Sequence, residues 1–225
     1  EAFTRPAGNS PAQNELKQIF DQANVNTVQF FANAVDVETK GMDVVVSHSL
    51  QADKFTLNND FAFNLTQTRK VGEIHTPRAI KAAGLEDKFF SERSRVLLEE
   101  VIPRFKATLS HNLTIGKWNG YLRNTYYGKA TGPDIIAADK RIGDFEFDER
   151  GHQIFRGKVI TDLSVAYNFT PKTSLTLGVN NLLDLYPEKN VKANSNNDQF
   201  VYSRATSQFG LNGRYVFLRA TFNLF

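Results

Sequence analysis

Apolar and polar residues alternate in run after run of this chain, and the connections between runs alternate strictly between short and long. Met42, Val44, Val46 and Leu50 oppose Asp43, Ser47 and Ser49. Phe55, Leu57, Phe61, Phe63 and Leu65 oppose Thr56, Asn58, Asp60, Asn64 and Thr66. From 101 onward Val101, Phe105, Ala107, Leu109 and Leu113 oppose Arg104, Lys106, Thr108, Ser110 and Asn112, and a less regular run follows from Trp118 to Tyr127. Val159, Leu163, Val165, Tyr167 and Phe169 oppose Asp162, Ser164 and Asn168, and Leu175, Leu177, Val179 and Leu183 oppose Thr176, Asn180 and Asp184. The final run sets Val216, Leu218, Ala220, Phe222 and Leu224 against Phe217, Arg219, Thr221 and Asn223. A period of two is the signature of a strand with two different faces, so about seven strands are expected, on the order of ten residues each.

The connections near 51–54, 115–117 and 170–173 are tight, whereas those near 70–95, 132–156 and 187–212 are long and polar. A bilayer offers the backbone no hydrogen-bond partner, so only helices and closed barrels cross it. A barrel turns apolar residues to lipid and polar residues to its lumen, with short turns on one side of the membrane and long loops on the other. The fold expected is therefore all-β: an antiparallel transmembrane β-barrel segment with long extracellular loops. A soluble β-sandwich would have to bury Asn58, Asp60 and Asn64 in a dry core, at kcal/mol each.

Composition agrees without deciding. No run of 18 or more apolar residues exists, as a membrane-spanning helix needs, and the mean hydropathy of -0.38 is neutral for a strand-built span. The 27 basic and 24 acidic residues are mixed along the chain, and a net charge of +3 gives no footprint for nucleic acid. The absence of cysteine removes disulfides, thiolate metal sites and cysteine nucleophiles.

Two stretches break the alternation. Residues 11–24 place Leu16, Ile19, Phe20 and Ala23 at helical spacing, and residues 78–90 place Ile80, Ala83 and Leu85 likewise. Both fall in expected outer loops, as short surface helices packed on themselves. Seven crossings are odd, while single-chain bacterial barrels have even strand counts. With no signal peptide at Glu1, the expectation is that residues 1–225 are the C-terminal part of something larger.

Four segments carry a family resemblance. Gly178-Val-Asn-Asn-Leu-Leu-Asp-Leu-Tyr-Pro187 resembles a late strand of TonB-dependent outer-membrane receptors, and Phe30-Phe-Ala-Asn-Ala-Val-Asp-Val-Glu-Thr-Lys-Gly-Met-Asp43 resembles the opening of another. Glu99-Glu-Val-Ile-Pro-Arg-Phe-Lys106, and Phe200-Val-Tyr-Ser-Arg204 with Gln208-Phe-Gly-Leu-Asn-Gly213, are similar to a Bacteroidetes-like subset. The resemblance runs from about residue 12 onward, in the family's order. It implies a barrel of about 22 strands closed by an N-terminal plug, of which this chain is about a third. It also implies import of a scarce ligand, such as a ferric siderophore, haem or another metal complex, driven by TonB through the plug. Implied partners are outer-membrane lipid, the plug and remaining barrel, TonB and the barrel-assembly machinery. The alternative is a non-transport barrel component of a surface assembly or adhesin.

Candidate site residues follow. In the family motif they are Asn180, Asn181, Leu182, Asp184, Tyr186 and Pro187, read as strand. Tyr215, Phe217, Phe222 and Phe225 belong to a closing strand, and the resemblance makes Phe225 the terminal aromatic that assembly machinery reads, although Phe225 is out of register with the apolar set. Glu73 with His75, and Asp144, Glu146 and Asp148 with His152, form outer-loop sets whose carboxylate and imidazole groups suit ligand or cation capture. No His spacing supports a metal site, and a solvated acidic loop is the other reading. His48 and His111 fall on the lipid face near short turns, as interfacial rings do. Tyr126, Tyr127, Tyr186, Tyr202 and Tyr215 sit near outer strand ends, in a girdle or, as for Tyr202, against a ligand. No catalytic motif is present; Ser203, Ser207 and His152 share loops without a spacing that makes them a nucleophilic set. Neither enzyme activity nor a cofactor is expected.

Overall fold

The computed structural model describes residues 2–29, 33–206 and 208–223. In chain order the strands are β1 (Ala2–Thr4), β2 (Thr27–Gln29), β3 (Asp36–Ala52), β4 (Phe55–Val71), β5 (Phe105–Ile115), β6 (Trp118–Tyr127), β7 (Ala130–Ile135), β8 (Glu146–Phe147), β9 (His152–Phe155), β10 (Lys158–Thr170), β11 (Thr173–Asn180) and β12 (Tyr215–Phe222). The helices are α1 (Pro11–Gln22), α2 (Arg78–Ala82), α3 (Glu86–Phe89) and α4 (Glu92–Glu99). Two units emerge: residues 1–39 with 68–99, and residues 40–67 with 100–225.

The expected seven strands form one antiparallel sheet in the order β12-β11-β10-β6-β5-β4-β3. Its short turns are Asp53–Lys54, Gly116–Lys117 and Pro171–Lys172, each bounded by the strand ends. Gly116 takes φ +57, which the two-residue turn demands and which glycine adopts without strain. Two boundaries differ from expectation. The strand read from residue 101 begins at Phe105, because Val101 turns inward and is buried, 7% exposed. The residues ahead of it, read as loop, form α4, in which Arg95 grips Glu92 at 2.5 Å and Glu99 at 3.2 Å.

Register separates the two faces. Phe61 pairs Leu109, Leu65 pairs Phe105 and Leu57 pairs Leu113, while Asp60 pairs Ser110, Asn58 pairs Asn112 and Asn64 pairs Lys106. The sorting continues through β10 and β11, where Leu163 pairs Val179 and Val165 pairs Leu177 on the apolar side, with Ser164 against Gly178 on the other. Leu175 then faces Ala220, and Leu177 faces Leu218. No layer covers the apolar side among the described residues: Leu218 is 68% exposed and Phe222 67%. A sheet whose apolar face is bare and whose polar face is hydrogen-bonded is built for lipid on one side and water on the other.

Aromatic rings band that apolar face at two heights. Phe105 meets Phe63 edge-on at 4.9 Å and Tyr126 at 5.5 Å, near the long loops. Tyr167 meets Trp118 at 4.7 Å and Phe169 at 4.9 Å, beside the short turns. The eight residue-to-residue steps from Trp118 to Tyr126 rise about 26 Å along the strand, enough for an apolar band about 25 Å tall before tilt shortens it. Polar residues on this face satisfy one another. Thr161 donates to Asn124 at 2.7 Å, and Asn59 sits between His111 (2.6 Å) and His48 (3.3 Å). The two histidines thus stand on the face expected of them.

In the first unit α1 starts with a capping box, Ser10 and Gln13 each accepting from the other's backbone N–H at 3.3 Å. Phe20 of α1, Ile80 of α2 and Phe89 of α3 form its core with Val28, Ile74 and Leu85. The helices expected over 11–24 and 78–90 are therefore present, the second as two short pieces broken at Gly84, where φ is +66.

Candidate functional site

Long connections in the second unit form an interlocked outer layer. Within residues 128–157, β9 pairs β7 on one side and β8 on the other. Gln153, 1% exposed, reaches into the following long loop: its Nε2 donates to Lys189 O at 2.8 Å and its Oε1 accepts Val191 N–H at 2.9 Å. Gln208 Nε2 donates to Gly128 O at 2.5 Å and to Arg156 O at 3.2 Å. Arg156 in turn holds Glu188 at 2.5 Å.

The outer-loop capture set behaves differently from its reading. His152 is not at the surface: it is fully buried, its Nδ1 3.0 Å from Gly132 O and its backbone N–H donating to Asp148 Oδ1 at 2.8 Å. Arg150 donates to Asp148 Oδ2 at 2.8 Å and to both oxygens of Glu100 at 3.0 and 2.8 Å. Burial favours a neutral Asp148, yet the His152 N–H and the Arg150 guanidinium outweigh it and hold the carboxyl below its usual range. Asp148 and His152 are thus loop architecture, while Asp144 and Glu146 remain exposed. In the first unit His75 pairs with Asp36 (3.3 Å), rather than with its sequence neighbour Glu73. Among the described residues no three of His, Cys, Asp or Glu come together as metal ligands. Ser203 Oγ accepts the N–H groups of Ala205 and Thr206 in an ordinary turn; Ser207 lies outside the described residues.

The family motif is a corner, not a strand. β11 ends at Asn180, because Asn181 and Asp184 take φ of +51 and +57, outside the extended region. Asn181 closes the corner through its side chain, donating to Leu185 O at 2.7 Å and accepting Leu185 N–H at 2.9 Å. Leu182 N–H donates to Thr161 O at 2.7 Å. Asp184 Oδ1 accepts the N–H of Arg214, immediately ahead of β12, at 2.7 Å. Tyr186 stacks on Tyr202 with centroids 6.3 Å apart, beside the buried Pro187. The motif therefore fixes where the last strand begins. In β12 itself Tyr215 and Phe217 lie on the polar face and Phe222 on the apolar one. Phe225 and Leu224, like the opening Phe30-Phe31-Ala32 of another motif, lie outside the described residues.

The polar face is a wall of side-chain ties. Asn64 donates to Asp43 and Ser47 to Asp60, both at 2.6 Å, and Asn119 donates to Asn112 at 2.6 Å. Arg123 faces Asp162 and holds it through Nε at 3.0 Å and Nη2 at 2.7 Å. Toward the loops, Asn64, Lys106, Tyr127 and Lys158 stand in register on neighbouring strands. Sequence reading missed this last row, since residues 106, 127 and 158 are neighbours only through register. The structure also separates the tyrosines: Tyr126 faces the apolar side and Tyr127 the polar side.

Comparison with known proteins gives one family. Residues 9–182 match the family model described as TonB dependent receptor-like, beta-barrel. Among solved structures, the chain aligns with a chain of the FpvAI–pyocin S2 complex at 14% identity and a TM-score of 0.45, over 83% of its own length. It spans 19% of that chain, about a fifth. No curated protein matches it.

Proposed function

This chain belongs to the TonB-dependent receptor-like β-barrel family, whose barrels reside in the bacterial outer membrane, and from that premise we propose that it is barrel wall of an importer. Residues 1–225 form the C-terminal part of the barrel, with a plug and the earlier strands upstream. The imported ligand is a ferric siderophore, haem or another metal complex. TonB supplies the energy by acting on the plug, outer-membrane lipid surrounds the apolar face, and the barrel-assembly machinery inserts the chain. Members of this family are transporters, and no catalytic role is proposed.

The observation that carries this reading is the family match over residues 9–182. The bare apolar face with its two aromatic bands supports it. The test is growth of a deletion strain on limiting amounts of each candidate metal complex, with and without functional TonB. Import predicts slower growth of the deletion strain on one complex, restored by the intact receptor only where TonB is functional. An adhesin predicts unchanged growth and lost attachment, which would overturn the import reading.

A further inference from the structure

One row of the polar wall carries more positive charge than its surroundings neutralise. Lys106 and Lys158 each stand directly opposite Tyr127, one on either side. At about 4.8 Å per strand their Cα atoms are about 10 Å apart. Lys106 Nζ lies 5.1 Å from the Tyr127 ring centroid, and Phe209 packs against the same ring at 5.6 Å. At this end of the sheet, Arg104 and Lys129 line a cavity of about 360 Å³.

Among the described residues, none of these four cations is in an ion pair. Glu100 and Asp148, which line the same cavity, are both held by Arg150. The acid nearest in the row is Asp43, which is hydrogen-bonded to Asn64, the residue paired with Lys106. Counting Arg150 with the two carboxylates it holds, five cations face three carboxylates, Asp43, Glu100 and Asp148, a surplus of two positive charges. Like charges on one sheet face repel one another, weakly at about 10 Å in salt, and a bound anion relieves that repulsion. The Lys106 ammonium beside the Tyr127 ring sets a cation next to an aromatic surface, a combination that suits a flat body carrying negative charge.

We propose that the outer end of this wall binds an anionic ligand with an aromatic or otherwise planar body, the anion held by Lys106 and Lys158 and the plane by Tyr127. The inference rests on the import reading and names the class of substrate: a negatively charged complex, not a neutral or cationic one. Arg104 and Lys129 draw the same charge toward the wall from the loop side, as a one-signed patch does.

The test uses the intact receptor in micelles of non-ionic detergent, with methoxypyrene trisulfonate as the probe and fluorescence anisotropy as the readout. Expected are saturable binding that weakens as salt rises, and a loss of about tenfold or more in affinity in the Lys106→Gln/Lys158→Gln double variant, about 1.4 kcal/mol or more. Tyr127→Phe keeps binding and Tyr127→Ala weakens it. Lys172→Gln, a charge removed in a short turn at the opposite end, leaves it unchanged. Heat-modifiable migration on gels confirms that each variant is folded. Absence of saturable binding, equal binding by the double variant, or equal binding of a pyrene bearing a quaternary ammonium group overturns the proposal. TonB-dependent growth with no binding of the trisulfonate would sink the anion proposal alone, and growth independent of the receptor would sink import alone.

Discussion

Asp162 on β10 joins two neighbours at once: one carboxylate oxygen takes the Arg123 guanidinium at 2.7 Å, and the other takes the backbone N–H of Asn181 at 2.8 Å. The first contact ties two strands across the polar wall. The second anchors the corner from which the last strand is launched. Asp162 is 9% exposed, so the corner N–H relies on it where water reaches poorly, whereas the half-exposed Arg123 also meets solvent.

Asp162→Ala therefore costs more than Arg123→Gln. Each charge-assisted hydrogen bond contributes about 1.5–3 kcal/mol, and the alanine loses three while leaving Arg123 without its partner. The glutamine variant retains the Asp162–Asn181 bond. Thermal loss of heat-modifiable migration should fall further for Asp162→Ala, and equal midpoints would show that the corner does not depend on Asp162.

Leu163 and Ser164 are adjacent on β10 and point to opposite faces. Leu163→Arg places a cation in lipid, at about 2–4 kcal/mol near the membrane midplane. Ser164→Arg keeps its cation on the polar face, opposite Tyr121 and Gly178, where the Phe217 ring covers Gly178 and the guanidinium meets water rather than lipid. Folding yield into lipid vesicles should drop for the first and hold for the second. The reverse order would invert the assignment of faces.

The faces and turns were legible in the sequence because alternation and connection length are local properties. Phe55 to Leu65 already stated its two faces, and the two-residue turns needed only residues such as Gly116 or Pro171. The corner at Asn181–Asp184 was not legible as a corner. Its apolar residues Leu183 and Leu185 continue the period-two pattern, and the departure lies in the backbone of two residues that tolerate positive φ. His152 misled for a similar reason. Its polar, acidic surroundings read as surface, yet the loop folds over it and uses Asp148 as a backbone acceptor. Side chains that serve a loop's interior look like surface residues until their partners are known.

Asp148 predicts a pH response confined to the outer loop. Its carboxyl is held below the ordinary value of 3.8, burial opposing and the His152 N–H and Arg150 prevailing. A carboxyl with a lowered folded value stabilises above the unfolded value and loses that contribution as pH falls through the folded one. Hydrogen exchange of the His152 amide, corrected for intrinsic rate, should be flat from neutral pH to about pH 5 and rise below about pH 4. Loss of protection at pH 6 would place the controlling group elsewhere.

Gln208 links two loops that are distant in sequence, since its Nε2 reaches both Gly128 O and Arg156 O and its side chain is 6% exposed. Gln208→Ala removes the donor and leaves those carbonyls buried, at about 1–3 kcal/mol. The loss falls on the outer layer, because the sheet below keeps its own backbone ladder. Limited proteolysis of the intact receptor should therefore open sites within 128–157 and 187–212 in the variant, while heat-modifiable migration of the barrel stays normal. Gln208→Glu cannot donate through its carboxylate and sets a negative charge against carbonyl oxygens, so it should be cut at least as fast as Gln208→Ala. If the glutamate variant resists protease as the native chain does, donation from Gln208 is not what holds the two loops together.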